Sequence, residues 1–154
     1  MRLKQISKWI EEGGDLPQDL TSKEKEHLEG LGWKARRGWH DNGQLHYECN
    51  YLHNKEHGVS RSWNANGQLH YECNYLHNKE HGVHRSWHDN GQLELEENFL
   101  HDKKHGVCRQ WDDKGQLWLE FNFLHGMLHG AHREWHDNGQ LKLDEEWFYG
   151  NKIK

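Results

Sequence analysis

The sequence predicts an all-β fold, an elongated single-layer antiparallel sheet of stacked β-hairpin repeats with a short N-terminal helical cap. The first observation is a 24-residue period, marked by Trp39, Trp63, Trp87, Trp111 and Trp135. The second is a turn signal between two alternating runs in each period, ending in Asn-Gly in four of the five units. The third is an N-terminal segment with apolar residues at helical spacing. A fixed period of this size indicates units that stack on their neighbours.

Residues 1–32 are predicted to form the helical cap. Four apolar residues share one face of a first helix: Leu3, Ile6, Trp9 and Ile10. The glycine pair at Gly13 ends this helix. Thr21 and Glu24 have the spacing of a capping box, which predicts a second helix that ends near Gly30. Such a cap would cover the unpaired edge and the apolar surface that the first repeat exposes.

Residues 33–154 are predicted to contain five hairpins of 24 residues. The repeats are 34–57, 58–81, 82–105, 106–129 and 130–154. In each repeat, two alternating strands flank the turn, and a short segment rich in His and Gly begins the next hairpin. These are the features of a meandering antiparallel sheet.

The third repeat illustrates two alternative registers. A two-residue turn would place Arg85 opposite Glu96. A three-residue turn, with its glycine in the left-handed conformation, would pair Trp87 with Leu93 and Arg85 with Leu95. We prefer the second register, since it gathers the apolar residues on one face. That face would hold Val83, Trp87, Leu93, Leu95 and Phe99, together with the arginine.

Composition limits the classes of function. Only 32% of the residues are hydrophobic and the mean hydropathy is −1.27, but nine tryptophans and the strict period argue against disorder. The formal charge of −5 disfavours a general nucleic-acid binder. Near-identical units offer no asymmetric site with a nucleophile beside a base, a phosphate loop or a metalloprotease motif. We therefore predict a protein that is not an enzyme and needs no cofactor.

The cysteines and the hydropathy pattern indicate a cytoplasmic protein. The three cysteines, Cys49, Cys73 and Cys108, are odd in number and lack the spacing of a metal knuckle, and Cys49 and Cys73, at the same place in adjacent repeats, lie too far apart for a disulfide. Free thiols are typical of a reducing compartment. The N-terminus lacks the apolar run of a signal peptide, and no later segment is apolar enough to span a membrane.

The recurring runs Trp-His-Asp-Asn-Gly-Gln-Leu and His-Gly-Val resemble the MORN repeat variant family, a bacterial family often labelled antitoxin-like. The resemblance covers residues 34–154, with departures at Lys114 and at Trp33-Lys34. It implies a curved sheet of hairpins that binds other proteins or, in some members, membrane lipids. It does not imply catalysis.

Three rows of aromatic and basic residues are the candidate binding residues. The arginine row is Arg37, Arg61, Arg85, Arg109 and Arg133; the tryptophan row is Trp39, Trp63, Trp87, Trp111 and Trp135; Tyr47 and Tyr71 complete the set. Two interpretations of the arginines stay open. Each could stack on its tryptophan or pair with a carboxylate of Glu48, Glu72, Glu96, Glu120 or Asp144. Alternatively, a free edge of each guanidinium could bind phosphate or acidic side chains.

Histidines also recur in pairs four residues apart, at the inter-repeat turns. The pairs are His53 and His57, His77 and His81, His101 and His105, and His125 and His129. On a helix this spacing would suggest two metal ligands, but here the histidines flank turns and no carboxylate recurs beside them. We interpret them as turn residues and predict no metal site.

The leading functional hypothesis is a scaffold that binds a protein partner through an aromatic and arginine face. The family label suggests a toxin as the partner, blocked sterically. A second hypothesis is a binder of nucleotides or anionic lipid headgroups, whose affinity would fall steeply with salt. A third is a structural element that associates with itself.

Overall fold

The computed structural model describes residues 2–154, with the side chains of Arg2 and Leu3 outside the description. The predicted place of Leu3 on the first helix therefore lies outside the described residues. The chain divides into two compact units, Met1–Glu80 and His81–Lys154.

The first unit contains both helices and the first two repeats. Its helices are α1 (Arg2–Glu12) and α2 (Ser22–Gly30). Its strands are β1 (Trp33–Trp39), β2 (Leu45–Leu52), β3 (Lys55–Glu56), β4 (Gly58–Trp63), β5 (Leu69–Leu76) and β6 (Lys79–Glu80). The main hairpins, β1–β2 and β4–β5, are antiparallel, and β2 also pairs with β3 and β4.

The second unit contains the last three repeats. Its strands are β7 (Gly82–Trp87), β8 (Leu93–Leu100), β9 (Lys103–Lys104), β10 (Gly106–Trp111), β11 (Leu117–Leu124), β12 (Met127–Trp135), β13 (Leu141–Phe148) and β14 (Asn151–Lys152). The hairpins β7–β8, β10–β11 and β12–β13 are antiparallel, as are the contacts that join them. The structure confirms the predicted class, an all-β array of antiparallel hairpins preceded by two short helices.

The main apolar core lies between the helices and the first hairpin. It consists of Ile6, Trp9, Leu16, Leu28, Trp33 and Leu52, with Ile10, Leu20 and Ala35 packed against it. The Thr21 hydroxyl accepts a hydrogen bond from the Glu24 amide, and the Glu24 carboxylate accepts one from the Thr21 amide, so the predicted capping box begins α2. Both helices thus form where the sequence predicts, and their apolar faces bury the start of the sheet.

The turn of each hairpin has three residues, as predicted. In the third repeat the His88 amide donates to the Gln92 carbonyl at 2.9 Å, and the Gly91 amide donates to the His88 carbonyl at 2.8 Å. Gly91 has a φ of +87°, a conformation that glycine adopts without a steric penalty. Trp87 then pairs with Leu93, which confirms this part of the preferred register.

The rest of the preferred register is wrong, because a β-bulge follows the first pair. Ser86 lies opposite Leu95 and Arg85 lies opposite Glu96, so Glu94 is an extra residue in the second strand. One extra residue reverses the direction of every later side chain in that strand. Leu95 and Phe99 consequently face away from Val83 and Trp87, and no single face holds all the apolar residues. The same shift occurs in each of the five hairpins.

Candidate functional site

The bulge brings each arginine of the arginine row opposite a carboxylate of its own hairpin. The distance from Nε to the carboxylate oxygen is 2.5 Å for Arg37–Glu48, 2.7 Å for Arg61–Glu72, 2.8 Å for Arg85–Glu96, 2.8 Å for Arg109–Glu120 and 3.1 Å for Arg133–Asp144. These are charge-assisted hydrogen bonds, which fix the guanidinium plane. The structure shows the pairing with carboxylates, and the binding of a ligand by these arginines stays a prediction.

Strand pairing also places these carboxylates beside the arginine of the next repeat. Glu48 lies opposite Arg61 in the first unit, and Glu120 lies opposite Arg133 in the second. Arg133 bridges two repeats, since its Nη1 lies 3.4 Å from Glu120 while its Nε binds Asp144. Positive and negative side chains therefore alternate across the strands of each unit.

The tryptophan row lies on the same face as the arginine row. Each tryptophan comes two residues after its arginine on a first strand that has no extra residue of its own, so alternation along that strand points both side chains to the same side of the sheet. Trp39 is 60% exposed, whereas the other four are half-buried. We call the surface formed by the arginine row, its paired carboxylates and the tryptophan row the arginine face.

The structure does not bring the two candidate tyrosines to this face. Tyr47 lies opposite Gly38 and Tyr71 lies opposite Ser62, and each comes directly after the extra residue of its strand and directly before the glutamate that pairs with the arginine. A side chain at position 38 would meet the Tyr47 ring, with a Cβ only 2.2 Å from its Cε1 atom. The expected Arg–Trp–Tyr face is therefore divided between the two sides of the sheet, with the tyrosines on the side opposite the arginines.

In the first unit, the helices and their connection occupy part of the arginine face. Trp33, Ala35 and Leu52 of the first hairpin pack into the core with α1 and α2. Asp15, in the connection, binds Arg61 at 2.6 Å, so that arginine is held by two carboxylates and only 19% of its side chain is exposed. Arg85, Arg109 and Arg133 of the second unit are 37–41% exposed. The more accessible part of the row therefore includes these three arginines.

Polar residues of the turns join consecutive repeats, a role that sequence reasoning missed. The Nε2 atoms of His40 and His88 donate to the carbonyls of Trp63 and Trp111, at 2.7 and 2.9 Å. The Nδ2 atom of Asn42 donates to the Ala65 carbonyl at 2.7 Å. The recurrence of His-Asp-Asn-Gly was visible in the sequence, but its spacing alone did not show that each turn bonds to the next.

A row of strand asparagines has a similar structural role. The Nδ2 atoms of Asn50, Asn98 and Asn122 donate to main-chain carbonyls nine residues later, at 2.8–3.0 Å. Satisfying a main-chain carbonyl in this way stabilises the start of the next repeat. We therefore assign these asparagines a structural role in joining the repeats and do not count them among the candidate binding residues.

The histidine pairs meet across the inter-repeat turns. The ring centroids are 4.7 Å apart for His57–His77, 5.0 Å for His81–His101 and 5.0 Å for His105–His125. His57 is fully buried and its Nε2 donates to the Trp9 carbonyl at 2.7 Å. Burial lowers the pKa of His57, and the neighbouring His77 lowers it further, which favours the neutral ring. Within residues 2–154, no group of three or more His, Cys, Asp or Glu side chains converges as a metal site would require.

The three cysteines are free thiols in the structure. Burial raises the pKa of Cys73 to about 12, and burial also raises the pKa values of Cys49 and Cys108. A thiol with a raised pKa is a poor nucleophile. None of the described helices is long and apolar enough to cross a membrane.

Comparison with known proteins identifies the repeated unit. A family model described as "MORN repeat variant" matches residues 35–53, 56–77, 80–101, 104–125 and 128–148. No curated protein matches the chain. The five matched segments cover more than half of the residues and fall on the five hairpins. The chain therefore belongs to the MORN repeat variant family.

Proposed function

We propose that this chain is a non-catalytic repeat scaffold that binds a protein partner through the arginine face. The observation that supports this proposal is the pairing of every arginine of the row with a carboxylate on the same face. The face therefore presents both charges in alternation, beside half-buried tryptophans. Arginine and tryptophan are enriched among the residues that contribute most to protein interfaces.

The same pairing disfavours nucleotides and anionic lipid headgroups as ligands. A phosphate that approaches Arg109 also approaches the Glu120 carboxylate, at 2.8 Å from the guanidinium Nε. This carboxylate repels the phosphate and already occupies one of the hydrogen-bond donors that phosphate would need. A protein surface can place an acidic group at the free edge of the guanidinium and a basic group near the carboxylate. An alternating surface of this kind favours specificity of pairing.

An antitoxin-like function is a more specific version of this proposal, in which the protein partner is a toxin. A toxin bound along the arginine face would be inhibited sterically, because the scaffold covers the surface that the toxin needs for its activity. This mechanism needs only a stable interface and no chemistry from the scaffold.

The proposal predicts that the substitutions Arg85→Ala and Arg109→Ala together abolish the recovery of the partner from the native host. The two side chains are 37% and 40% exposed, so their removal should cost binding more than folding. Co-purification followed by mass spectrometry measures the recovery, and circular dichroism checks the fold.

A matched double variant, Glu94→Ala with Trp118→Ala, removes exposed side chains from the bulge position on the opposite side of the sheet. It should recover the partner as the unmodified chain does. Loss of the partner in this control, with full recovery in the arginine variant, would place the binding surface on the other face.

A further inference from the structure

A short segment between the two helices already binds the arginine face of one repeat. Residues 13–15 follow α1 and contact the second repeat, 58–81. The Asp15 carboxylate accepts a hydrogen bond from Nη2 of Arg61 at 2.6 Å. Because Nε of the same guanidinium binds Glu72 at 2.7 Å, the segment places a second carboxylate on its other edge.

The main chain of this segment binds the same repeat. The Gly14 amide donates to Asn74 Oδ1 at 2.8 Å, and the Gly14 carbonyl accepts from the Val59 amide at 3.0 Å. The chain can lie this close because Gly13 has no side chain, since a Cβ there would be 2.9 Å from the Tyr75 carbonyl oxygen. Gly14 also has a φ of +86°, which favours glycine at the second position. The second repeat thus binds a Gly-Gly-Asp segment through three of its own residues.

The fourth repeat, 106–129, has the same three residues in the same register. Its valine, arginine and asparagine are Val107, Arg109 and Asn122. Val107 lies opposite Asn122 and Arg109 lies opposite Glu120, as their counterparts do in the second repeat. In the described part of the chain, no second carboxylate binds Arg109 and no donor binds Asn122 Oδ1. The third repeat has the same set, in Val83, Arg85 and Asn98.

The second and fourth repeats differ in what covers them. The side chain of Arg61 is 19% exposed, whereas that of Arg109 is 40% exposed. A Cβ on Gly58 would lie 2.8 Å from the Gly14 carbonyl oxygen, but a Cβ on Gly106 would have its nearest neighbour at 3.9 Å. The fourth repeat therefore has space at the place where the connecting segment lies on the second repeat.

We propose that the third and fourth repeats bind an acidic Gly-Gly-Asp segment of the protein partner in the way that the second repeat binds residues 13–15. This inference rests on the function proposed above and specifies the chemistry of the partner. The two glycines let the segment approach the sheet, and the main chain of the second glycine bonds to the asparagine and the valine. The carboxylate binds the outer edge of the arginine through a charge-assisted hydrogen bond.

The fifth repeat does not fit such a segment. Glu146 stands at the position of the asparagine, and its carboxylate would repel an acidic segment. Arg133 is also bound by two carboxylates of the chain, those of Asp144 and Glu120. The proposal therefore confines the binding of the segment in the second unit to the third and fourth repeats.

A blocked peptide with the sequence of residues 12–17, Glu-Gly-Gly-Asp-Leu-Pro, tests the proposal on the full chain. Nuclear magnetic resonance of the isotope-labelled protein follows the titration. The main-chain amide signals of Val83 and Val107 should shift with peptide concentration, while that of Ala131 in the fifth repeat should not. A peptide with asparagine in place of the aspartate should bind about tenfold more weakly, because it loses the charge-assisted hydrogen bond.

Two variants of the chain locate the site. Arg109→Ala should abolish the shift at position 107 and retain the shift at position 83. Lys142→Ala removes the same charge from the extra residue of β13, on the opposite side of the sheet, where Lys142 binds Glu134 at 2.9 Å. This control should retain both shifts. The dispersion of signals in the same spectra shows whether each variant is folded.

Three results would overturn the proposal. The peptide could shift neither valine signal, the asparagine peptide could bind as tightly, or Lys142→Ala could weaken binding as much as Arg109→Ala does. The proposed function has a separate test, which is the recovery of the partner by the double arginine variant. A peptide without effect, together with loss of the partner in that variant, would reject the acidic segment and retain the arginine face. Peptide binding together with full recovery of the partner would contradict the proposed function instead.

Discussion

Replacing Gly58 with alanine is expected to destabilise the protein by about 2–5 kcal/mol, from backbone strain and overpacking together. Gly58 begins β4 with a φ of +81°. A Cβ at this position would lie 2.2 Å from Trp9 Nε1 and 2.8 Å from the Gly14 carbonyl oxygen. Neither group can withdraw freely, since Trp9 is 1% exposed and the carbonyl belongs to the backbone.

The repeat supplies the control for this substitution. Gly106 occupies the same position two repeats later, with a φ of +85°, but its nearest neighbour would be the Asn98 Cβ at 3.9 Å. Gly106→Ala should therefore show only the cost of the left-handed backbone, about 1–2 kcal/mol. Urea denaturation followed by circular dichroism measures both changes. Equal losses in the two variants would mean that the contact between α1 and β4 contributes nothing to stability.

Truncation of Leu28 to alanine is expected to lower the free energy of unfolding by about 2–5 kcal/mol. Leu28 is the buried residue of α2, with no exposed surface, and it packs in the core with Trp33 and Leu52. The substitution removes this packing and leaves a cavity, because the rigid sheet beneath the helix cannot collapse into the space.

Leu31, at the end of the same helix, provides the comparison. It is 36% exposed, so Leu31→Ala should cost less than about 1 kcal/mol. Urea titrations of the two variants should therefore differ clearly in midpoint. A small effect at Leu28 would contradict the view that the helices stabilise the first hairpin through this core.

The sequence predicted the elements well because their signals are local. The capping box at Thr21 and the three-residue turns depend on a few adjacent residues, and each appears as expected. The 24-residue period placed the hairpins, since each repeat of the sequence is one hairpin of the structure. The packing of α1 and α2 on the first hairpin followed from the apolar surface that this hairpin would otherwise expose.

The faces of the sheet could not be predicted by alternation alone. A bulge adds one residue without a fixed sequence signal, and its position is filled by residues as different as Glu94 and Trp118. The prediction of a single apolar face was therefore wrong, and Tyr47 was wrongly assigned to the same side of the sheet as the arginines. The sequence did contain one indication of the correct register. Pairing Arg85 with Glu96 places opposite charges together and neutralises a half-buried guanidinium.

The functional residues were harder to predict, since a repeat conserves structural and binding positions alike. His40 and Asn42 recur as regularly as Arg37, but they bond to the next turn. Only the exposure of a side chain and its bonding partners distinguish such residues from the arginine row, and both properties require the structure.

Site-specific photo-crosslinking tests the use of the arginine face most directly. Benzoylphenylalanine at Trp87 places the probe on the arginine face, and the same probe at Trp118 places it at the bulge on the opposite side. Both sites replace one aromatic side chain by another, so the fold should be preserved in each variant. The account predicts a crosslink to the partner from position 87 and none from position 118. A crosslink from position 118 alone would contradict it.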